Sequence, residues 1–316
     1  RSLRHDPFAH AGARPRTAAA PVAGLRVGPA PPSRRRAPFR GRTGSLPHLP
    51  AHAMTEHDSG ANWAEPFPRP RRQPPTEDER LLESVEELET LGRDAWRIFR
   101  IMGEFVEGFE AMSTVGPAVS IFGSARVRPG DPWYERCVET ARLLGEEGFG
   151  IITGGGPGMM EAANKGAVEA GARSVGCNIE LPFEEGTNPY VEESVYFRYF
   201  FVRKTMFVKY AEAFVIFPGG FGTMDELFES LTLIQTGKVR NFPVVIMGRE
   251  YWGGLWDWVR DRMAAEGKIS PEDMELVLLT DDPEEARDHI RARYELGRAV
   301  REGRRPPEEP PREPGR

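Results

Sequence analysis

Residues 213–226 read AFVIFPGGFGTMDE and residues 150–164 read GIITGGGPGMMEAAN. In each, a short unbroken apolar run ends in clustered glycines, and a stretch with helical periodicity follows at once. Apolar runs of this length, without polar alternation, suit strands buried on both faces. Working outward, similar runs recur as AVSIFG (118–123), SVGCNIE (174–180), FPVVIMG (242–248) and a last short LVLLT (276–280). Helical stretches lie between most of them: DPWYERCVETARLLGEE (131–147), GMMEAANKGAVEAG (158–171), FVRKTMFVKYAEA (201–213), GTMDELFESLTLIQTG (222–237) and GLWDWVRDRMAAEG (254–267). Strands alternating with helices predict an α/β fold, a doubly wound parallel sheet with helices on both faces.

Upstream, Asp78 to Met112 carries Leu81, Leu82, Val85, Leu88, Leu91, Trp96, Ile98, Phe99 and Met102 at helical spacing. This predicts an N-terminal helical extension over 78–112 that packs on the main domain or on a partner subunit. Residues 1–77 read as a disordered leader. Within it, residues 1–53 hold ten arginines, no lysine, one acid (Asp6) and many prolines and alanines, a composition that cannot bury enough apolar surface to fold. We read 1–53 as upstream sequence translated from a misplaced start, with Met54 opening the protein proper. The alternative is an Arg-rich, acid-poor transit peptide, although the stretch lacks a clear amphipathic helix. The main domain is expected over 117–295, and residues 302–316, charged and rich in proline, read as a disordered tail.

The chain carries 42 Lys and Arg against 48 Asp and Glu. Ten of the bases but only one of the acids lie in 1–53, so the remainder has a net charge near −15. Such a surface repels polyanions, and no nucleic-acid partner is expected. No apolar stretch approaches the ~20 residues that span a bilayer. Two cysteines, Cys137 and Cys177, are too few for a disulfide framework or a CxxC metal site. A cytoplasmic protein with no structural metal and no membrane partner is the expectation.

In doubly wound sheets ligands bind beyond the carboxyl ends of strands, where loops open helices. Gly154, Gly155, Gly156 and Gly158 form such a loop and read as a phosphate loop, because glycines let backbone amides approach closely and helix N-termini attract negative charge. A tight turn that binds nothing is the alternative. The spacing departs from GxGxxG, since Met159 holds the last glycine position, although Glu180 ends the next strand where a ribose ligand would sit. Neither glycine loop closes with the Lys-Ser/Thr of a Walker motif. In the second loop Gly219, Gly220 and Gly222 again lead into a helix, and two such loops at nearby strand ends would hold a monophosphate. Glu226 has two readings: Thr223-Met-Asp-Glu226 has the spacing of a capping box, and the same geometry puts a carboxylate beside a phosphate-binding helix end. Arg203 and Lys204 point about 100° apart on a preceding helix, so one faces the site and the other its edge, unless both lie on a solvated face.

Together these residues resemble the LOG family, the cytokinin riboside 5′-monophosphate phosphoribohydrolases often mislabelled as lysine decarboxylases, in its longer bacterial branch. The PGGxGTxxE motif runs from Pro218 to Glu226, Arg203 stands 23 residues before Glu226 with Lys204 beside it, and GGGPGMMEAAN corresponds to a GGGxxGxM-type loop. The likeness covers about residues 117–290. It implies a Rossmann-like single domain that hydrolyses the N-glycosidic bond of a purine nucleoside 5′-monophosphate, with Arg203 and Glu226 as catalytic pair. Gly219, Gly220, Phe221, Gly222, Thr223, Met224 and Asp225 would wrap the nucleotide, joined by Lys204, Thr232 and Glu185 in LPFEEGTNPY. Arg203 would keep Glu226 ionised, since an opposite charge within ~4 to 6 Å favours the carboxylate. No metal or cofactor is implied, and a homodimer or larger homo-oligomer is. The departure at FFVRK, where plant members carry Met-His before Arg-Lys, bears on the substrate. The alternatives are a general AMP or nucleoside-monophosphate nucleosidase, and a carrier that holds a nucleotide or molybdenum cofactor without turning it over.

Overall fold

The apolar runs all become strands, and a seventh strand joins them at one edge. The computed structural model describes residues 76–82, 90–180, 186–240 and 242–304, all within one compact unit of the chain. The leader up to residue 75, Glu185, and the tail from residue 305 lie outside the described residues. Where one helix was expected over 78–112 there are α1 (Glu77–Leu82) and α2 (Thr90–Met112), with 83–89 between them also outside. The chain continues as β1 (Ala118–Phe122), α3 (Pro132–Glu146), β2 (Gly150–Thr153), α4 (Met159–Glu169), β3 (Ser174–Ile179) and β4 (Glu193–Phe197). Then come α5 (Phe200–Tyr210), β5 (Ala213–Ile216), α6 (Phe221–Gln235), β6 (Val244–Met247), α7 (Arg249–Trp258), β7 (Val277–Thr280) and α8 (Pro283–Arg301). A π-helical turn, Val259–Ala264, prolongs α7, and a 3₁₀ turn, Pro271–Leu276, leads into β7.

All seven strands are parallel, in the order β4-β3-β2-β1-β5-β6-β7. Val119 at the centre pairs with Ile151 on one side and Ala213 on the other. The order reverses at β1: the chain winds out to β4, then returns to β1's free side for β5. That reversal leaves a crevice beyond the carboxyl ends of β1 and β5, where such sheets bind ligands. Strands β1, β2, β3, β5 and β6 are buried at every residue. One face is covered by apolar residues of α2, α5, α6 and α7, including Met112, Val202, Phe207, Leu227 and Trp252. The other is covered by α3, α4 and α8, through residues such as Leu144, Ala163 and Ile290. Local signals agree with this packing. Asp131 caps α3 by accepting from Trp133 N (2.8 Å), Asp282 caps α8 by accepting from Glu284 N (2.9 Å), and a proline follows each at the first helical position.

Three elements differ from the sequence reading. Strand β4 was not expected because, as an edge strand, only its Val195 and Phe197 are buried, which gives no continuous apolar run. Helix α7 starts five residues earlier than GLWDWV suggested; Gly253-Gly254, which looks like a break, lies inside it behind the buried Trp252. Helix α8 passes the boundary drawn at 295 and ends at Arg301. Its inner face uses small residues, Ala286, Gly297 and Ala299 besides Ile290, so it carries little hydrophobic signal. Among the described residues no helix is long and apolar enough to cross a membrane.

Candidate active site

Three loops meet at the crevice. Ser124, just after β1, donates its backbone N–H to Pro218 O (2.9 Å) and accepts at its carbonyl from Met159 N (3.0 Å), so the β1 loop is clamped between the two glycine loops. In the first glycine loop all four glycines are buried, with Gly155 at φ +75° and Gly158 at φ +71°. Gly155 N donates to Thr153 Oγ1 (2.9 Å), and Asn188 Nδ2 donates to the carbonyls of Gly155 (3.1 Å) and Gly156 (3.0 Å) and to Asn164 Oδ1 (3.0 Å). A methyl group on Gly154 would collide with the Arg203 guanidinium, one on Gly155 with the Asn178 amide, and one on Gly158 would stand 2.5 Å from Ser124 O.

The second loop is held differently. Tyr251, from α7, donates its hydroxyl to Gly219 O (2.8 Å), while Gly220 and Gly222 have nothing within 4 Å of where a side chain would begin. Helix α6 starts at Phe221 with Gly220 as its cap and no side-chain cap bond. The capping box read from Thr223 to Glu226 is therefore not formed. Thr223 already lies inside the first turn, its N–H bonded to Gly220 O (3.1 Å), which puts Glu226 a turn too far along to reach back.

Glu226 faces inward instead. It is 8% exposed, and its Oε2 is buried without a hydrogen-bond partner. Burial pushes its carboxyl up to about 7; Lys204 and Arg203 pull it down, while Glu229 and Asp225 push it further up. The expectation that Arg203 keeps Glu226 ionised is thus corrected: the cation helps, but desolvation outweighs it. Near neutral pH this carboxyl is poised between its two forms.

Neither member of the Arg-Lys pair lies on a solvated face. Arg203 donates Nε–H to Cys177 O (2.8 Å), sits 5.2 Å over the Phe207 ring, and reaches Gly154 of the first loop. Lys204 turns the other way and places Nζ 2.9 Å from Asp225 and 2.8 Å from Glu229. Burial lowers the Lys204 pKa, but the bonds to Glu229 and Asp225 outweigh it and leave the ammonium favoured.

Around this centre Phe221 is 93% exposed at the mouth, Met224 is half-buried and Asp225 exposed. Thr232 is not brought to this cluster: it is exposed further along α6, with its hydroxyl donated to Phe228 O (2.7 Å). Glu180 is turned toward β4, where it pairs with Arg198 (3.3 Å). Ser124, Asn178, Asn188 and Tyr251 were missed from sequence. Ser124 had a signal, Gly-Ser directly after a buried strand, but Asn188 and Tyr251 join the loops from 32 or 33 residues away with no local pattern. Both cysteines are free and buried, and burial pushes the Cys177 thiol up to about 12, so neither is a ready nucleophile.

Fold and centre together define a Rossmann-like α/β protein with a buried carboxyl, Glu226, on the helix that follows the open second glycine loop. Comparison with known proteins adds a family likeness. The model of the family described as "Possible lysine decarboxylase" matches residues 160–290. The chain is similar to the cytokinin riboside 5′-monophosphate phosphoribohydrolase LOG3 of Arabidopsis thaliana, 28% identical over 149 residues, covering 46% of this chain and 68% of that protein. Bacterial proteins with the same enzyme name match as well. That of Mycobacterium tuberculosis is 28% identical over 48% of this chain and 82% of its own length, and that of Rhodococcoides fascians 27% identical over 55% and 89%. The resemblance to the LOG family is borne out. Among solved structures, the chain is similar to the molybdenum cofactor carrier protein of Chlamydomonas reinhardtii, at 19% identity and a TM-score of 0.42 over 56% of this chain and 98% of that one.

Proposed function

We propose that this chain hydrolyses the N-glycosidic bond of a purine nucleoside 5′-monophosphate, releasing free base and ribose 5-phosphate, with a cytokinin-type, N6-substituted adenine as the base. The observation that carries the reading is Glu226: a buried carboxyl with an unpartnered oxygen, below an open, uncapped helix start and within the field of two cations. A structural residue in that position would be expected to have its partner. In this reading the phosphate sits over Gly220 and Gly222, where the amides and dipole of α6 attract it. Arg203 holds the ribose-phosphate side, and the Phe221 ring is offered to the base. As the bond from C1′ to the base nitrogen breaks, its electron pair leaves with the base and positive charge builds on the ribose. Ionised Glu226 stabilises that charge and orients the water whose oxygen bonds to C1′. One water proton stays on the new sugar hydroxyl and the departing base nitrogen gains the balancing proton, which gives free base and ribose 5-phosphate. Lys204, tied to Asp225 and Glu229, holds the start of α6 and eases the ionisation of Glu226. Glu185 and Met224 are assigned to nucleotide contacts on the family resemblance, whereas Thr232, lying further along α6, is left out of the site. A reducing, cytoplasmic setting fits two free thiols.

The test is to incubate the full chain with AMP and with isopentenyladenosine monophosphate and to follow free base and ribose 5-phosphate. Glu226→Gln and Arg203→Ala are each expected to lower kcat/KM by roughly 10²-fold or more. Since the carboxylate is the working form, the rate of the parent protein should rise with pH through about 7. AMP turned over as well as the N6-substituted nucleotide would replace the cytokinin reading with a general nucleosidase. Tight binding without release, unchanged by Glu226→Gln, would make the protein a carrier.

A further inference from the structure

Helix α5 carries Arg203 and Lys204 but does not hold its own start. Its cap residue, Tyr199, makes no side-chain capping bond, and its first turn contains no acid. A helix start leaves backbone N–H groups without intrahelical partners and favours negative charge. Here the acids come from the N-terminal extension, 94 to 122 residues upstream. Glu104 of α2, 5% exposed, accepts at Oε2 from Arg198 N (3.1 Å) and Tyr199 N (3.4 Å), and its Oε1 lies 3.6 Å from the Arg198 guanidinium. Asp78 of α1 accepts from the N–H of Phe200 (3.4 Å), the first residue of α5. Glu77 accepts from the hydroxyl of the buried Tyr199 (3.4 Å). Further along, α2 approaches α5 through Gly108, where a methyl group would stand 3.0 Å from Met206, the residue three places past Arg203. The extension thus grips α5 on both sides of Arg203.

We propose that Glu104 and Asp78 are positioning residues for the Arg203 guanidinium, so that the N-terminal helical extension is a working part of the site and not only a cover for the sheet. The N–H of Arg203 closes the first turn of α5 on Tyr199 O (3.3 Å), so fraying of that turn releases the backbone of Arg203 itself. The side chain has little latitude. Its Nε–H is bonded to Cys177 O (2.8 Å), and its guanidinium fills the space that a methyl group on Gly154 would need. A shift of α5 by one helical step, about 1.5 Å, would break the bond to Cys177 O or drive the guanidinium into the first glycine loop. Lys204 is anchored to α6 by Asp225 and Glu229, so loss of the upstream acids should tell on Arg203 first. A Ser or Asp at position 199 would cap α5 locally. Tyr199 leaves that task to a separate element, which ties the placement of Arg203 to the docking of α1 and α2.

The kinetic arm of the test rests on the phosphoribohydrolase reading; the spectroscopic arm does not. In the ¹⁵N-labelled full chain the Arg203 Nε–H signal, identified by its loss in Arg203→Ala, reports the bond to Cys177 O without any substrate. Glu104→Ala and, at a less buried site, Asp78→Ala should shift or broaden that signal at a temperature where circular dichroism shows both variants folded. Glu104→Gln keeps an acceptor oxygen for Arg198 N and should leave the signal near the parent's. With isopentenyladenosine monophosphate, kcat/KM should fall about tenfold in Glu104→Ala and recover in Glu104→Gln. In an Arg203→Ala background Glu104→Ala should have little further effect, because both changes act through one guanidinium, whereas a merely structural residue would lower both backgrounds equally. Should Glu104→Ala not fold, Asp78→Ala carries the same test. An unmoved Nε–H signal in the alanine variants, or equal losses in the two backgrounds, would overturn the proposal. A shifted signal in a protein that releases no base would uphold the positioning and overturn only the hydrolase reading.

Discussion

In the loop after β2, Gly154, Gly155 and Gly158 have protein atoms where a side chain would go; in the loop after β5, Gly220 and Gly222 have open space. As sequence the two are nearly interchangeable, each a glycine cluster between a buried strand and a helix. In the folded protein the first is an internal joint: its glycines let the β1 loop, Asn178 and Arg203 come close, and Asn188 takes up two of its carbonyls. The second is an external surface, anchored from behind by Tyr251 and open in front. The first glycine cluster therefore serves cohesion, and the second serves access.

That contrast can be broken most decisively at Gly158. Its φ of +71° is disfavoured for any residue with a side chain, and a methyl there meets backbone, Ser124 O at 2.5 Å, which cannot swing away. Strain and overpacking together are expected to cost roughly 2 to 5 kcal/mol for Gly158→Ala, a fall of about 5–15 °C in Tm for a chain of this size. A Tm within 2 °C of the parent's would mean that the first loop is not the joint described.

A smaller effect, of opposite sign, is expected under the second loop. Burial raises the Glu226 carboxyl from an ordinary value near 4.5 to about 7. The folded state therefore holds this proton more tightly than the unfolded chain does. Its contribution to stability is fully present below about pH 4.5 and is lost as pH rises toward 7, by at most about 3 kcal/mol. Glu226→Gln has no charge to bury, so it should be more stable than the parent at pH 8 and close to it at pH 4.5, while losing base release. Urea unfolding at the two pH values measures the difference. Equal stability at both would place Glu226 in water or in a partnered site, and would remove the strain on which its catalytic reading rests.

The sheet was readable because burial on both faces writes itself into the chain as unbroken apolar runs, from Val119 in β1 to Ile246 in β6. Strand β4 was not, because one side of an edge strand needs no apolar residues. Helix α8 packs with small residues whose identity says little about burial. At the candidate site, the PGGxGTxxE stretch pointed to the loop that the structure leaves open, but spacing could not decide between a cap and an inward carboxylate at Glu226. That choice depends on where α6 starts, and a start two residues earlier than Thr223 removes the capping geometry altogether. Sequence could say that Arg203 and Lys204 diverge on α5, but spacing could not say which turns to the first glycine loop and which to α6.

The subtlest way to sharpen the comparison is at Gly222. It is the second residue of α6, exposed, with no atom within 4 Å of a side-chain position and no left-handed backbone to strain. Within the folded protein alone, alanine is harmless there and should gain up to about 1 kcal/mol from helix propensity. The same methyl would project into the space above the first turn, where a phosphate must come within hydrogen-bond range of the amides. Losing one or two such bonds is worth about tenfold in affinity. Gly222→Ala is therefore expected to hold or raise Tm, leave kcat within a few-fold and raise KM for the nucleotide about tenfold. An unchanged KM would mean that the emptiness in front of the second loop is plain solvent, and the phosphate would then have to be sought on the Arg203 side of the crevice.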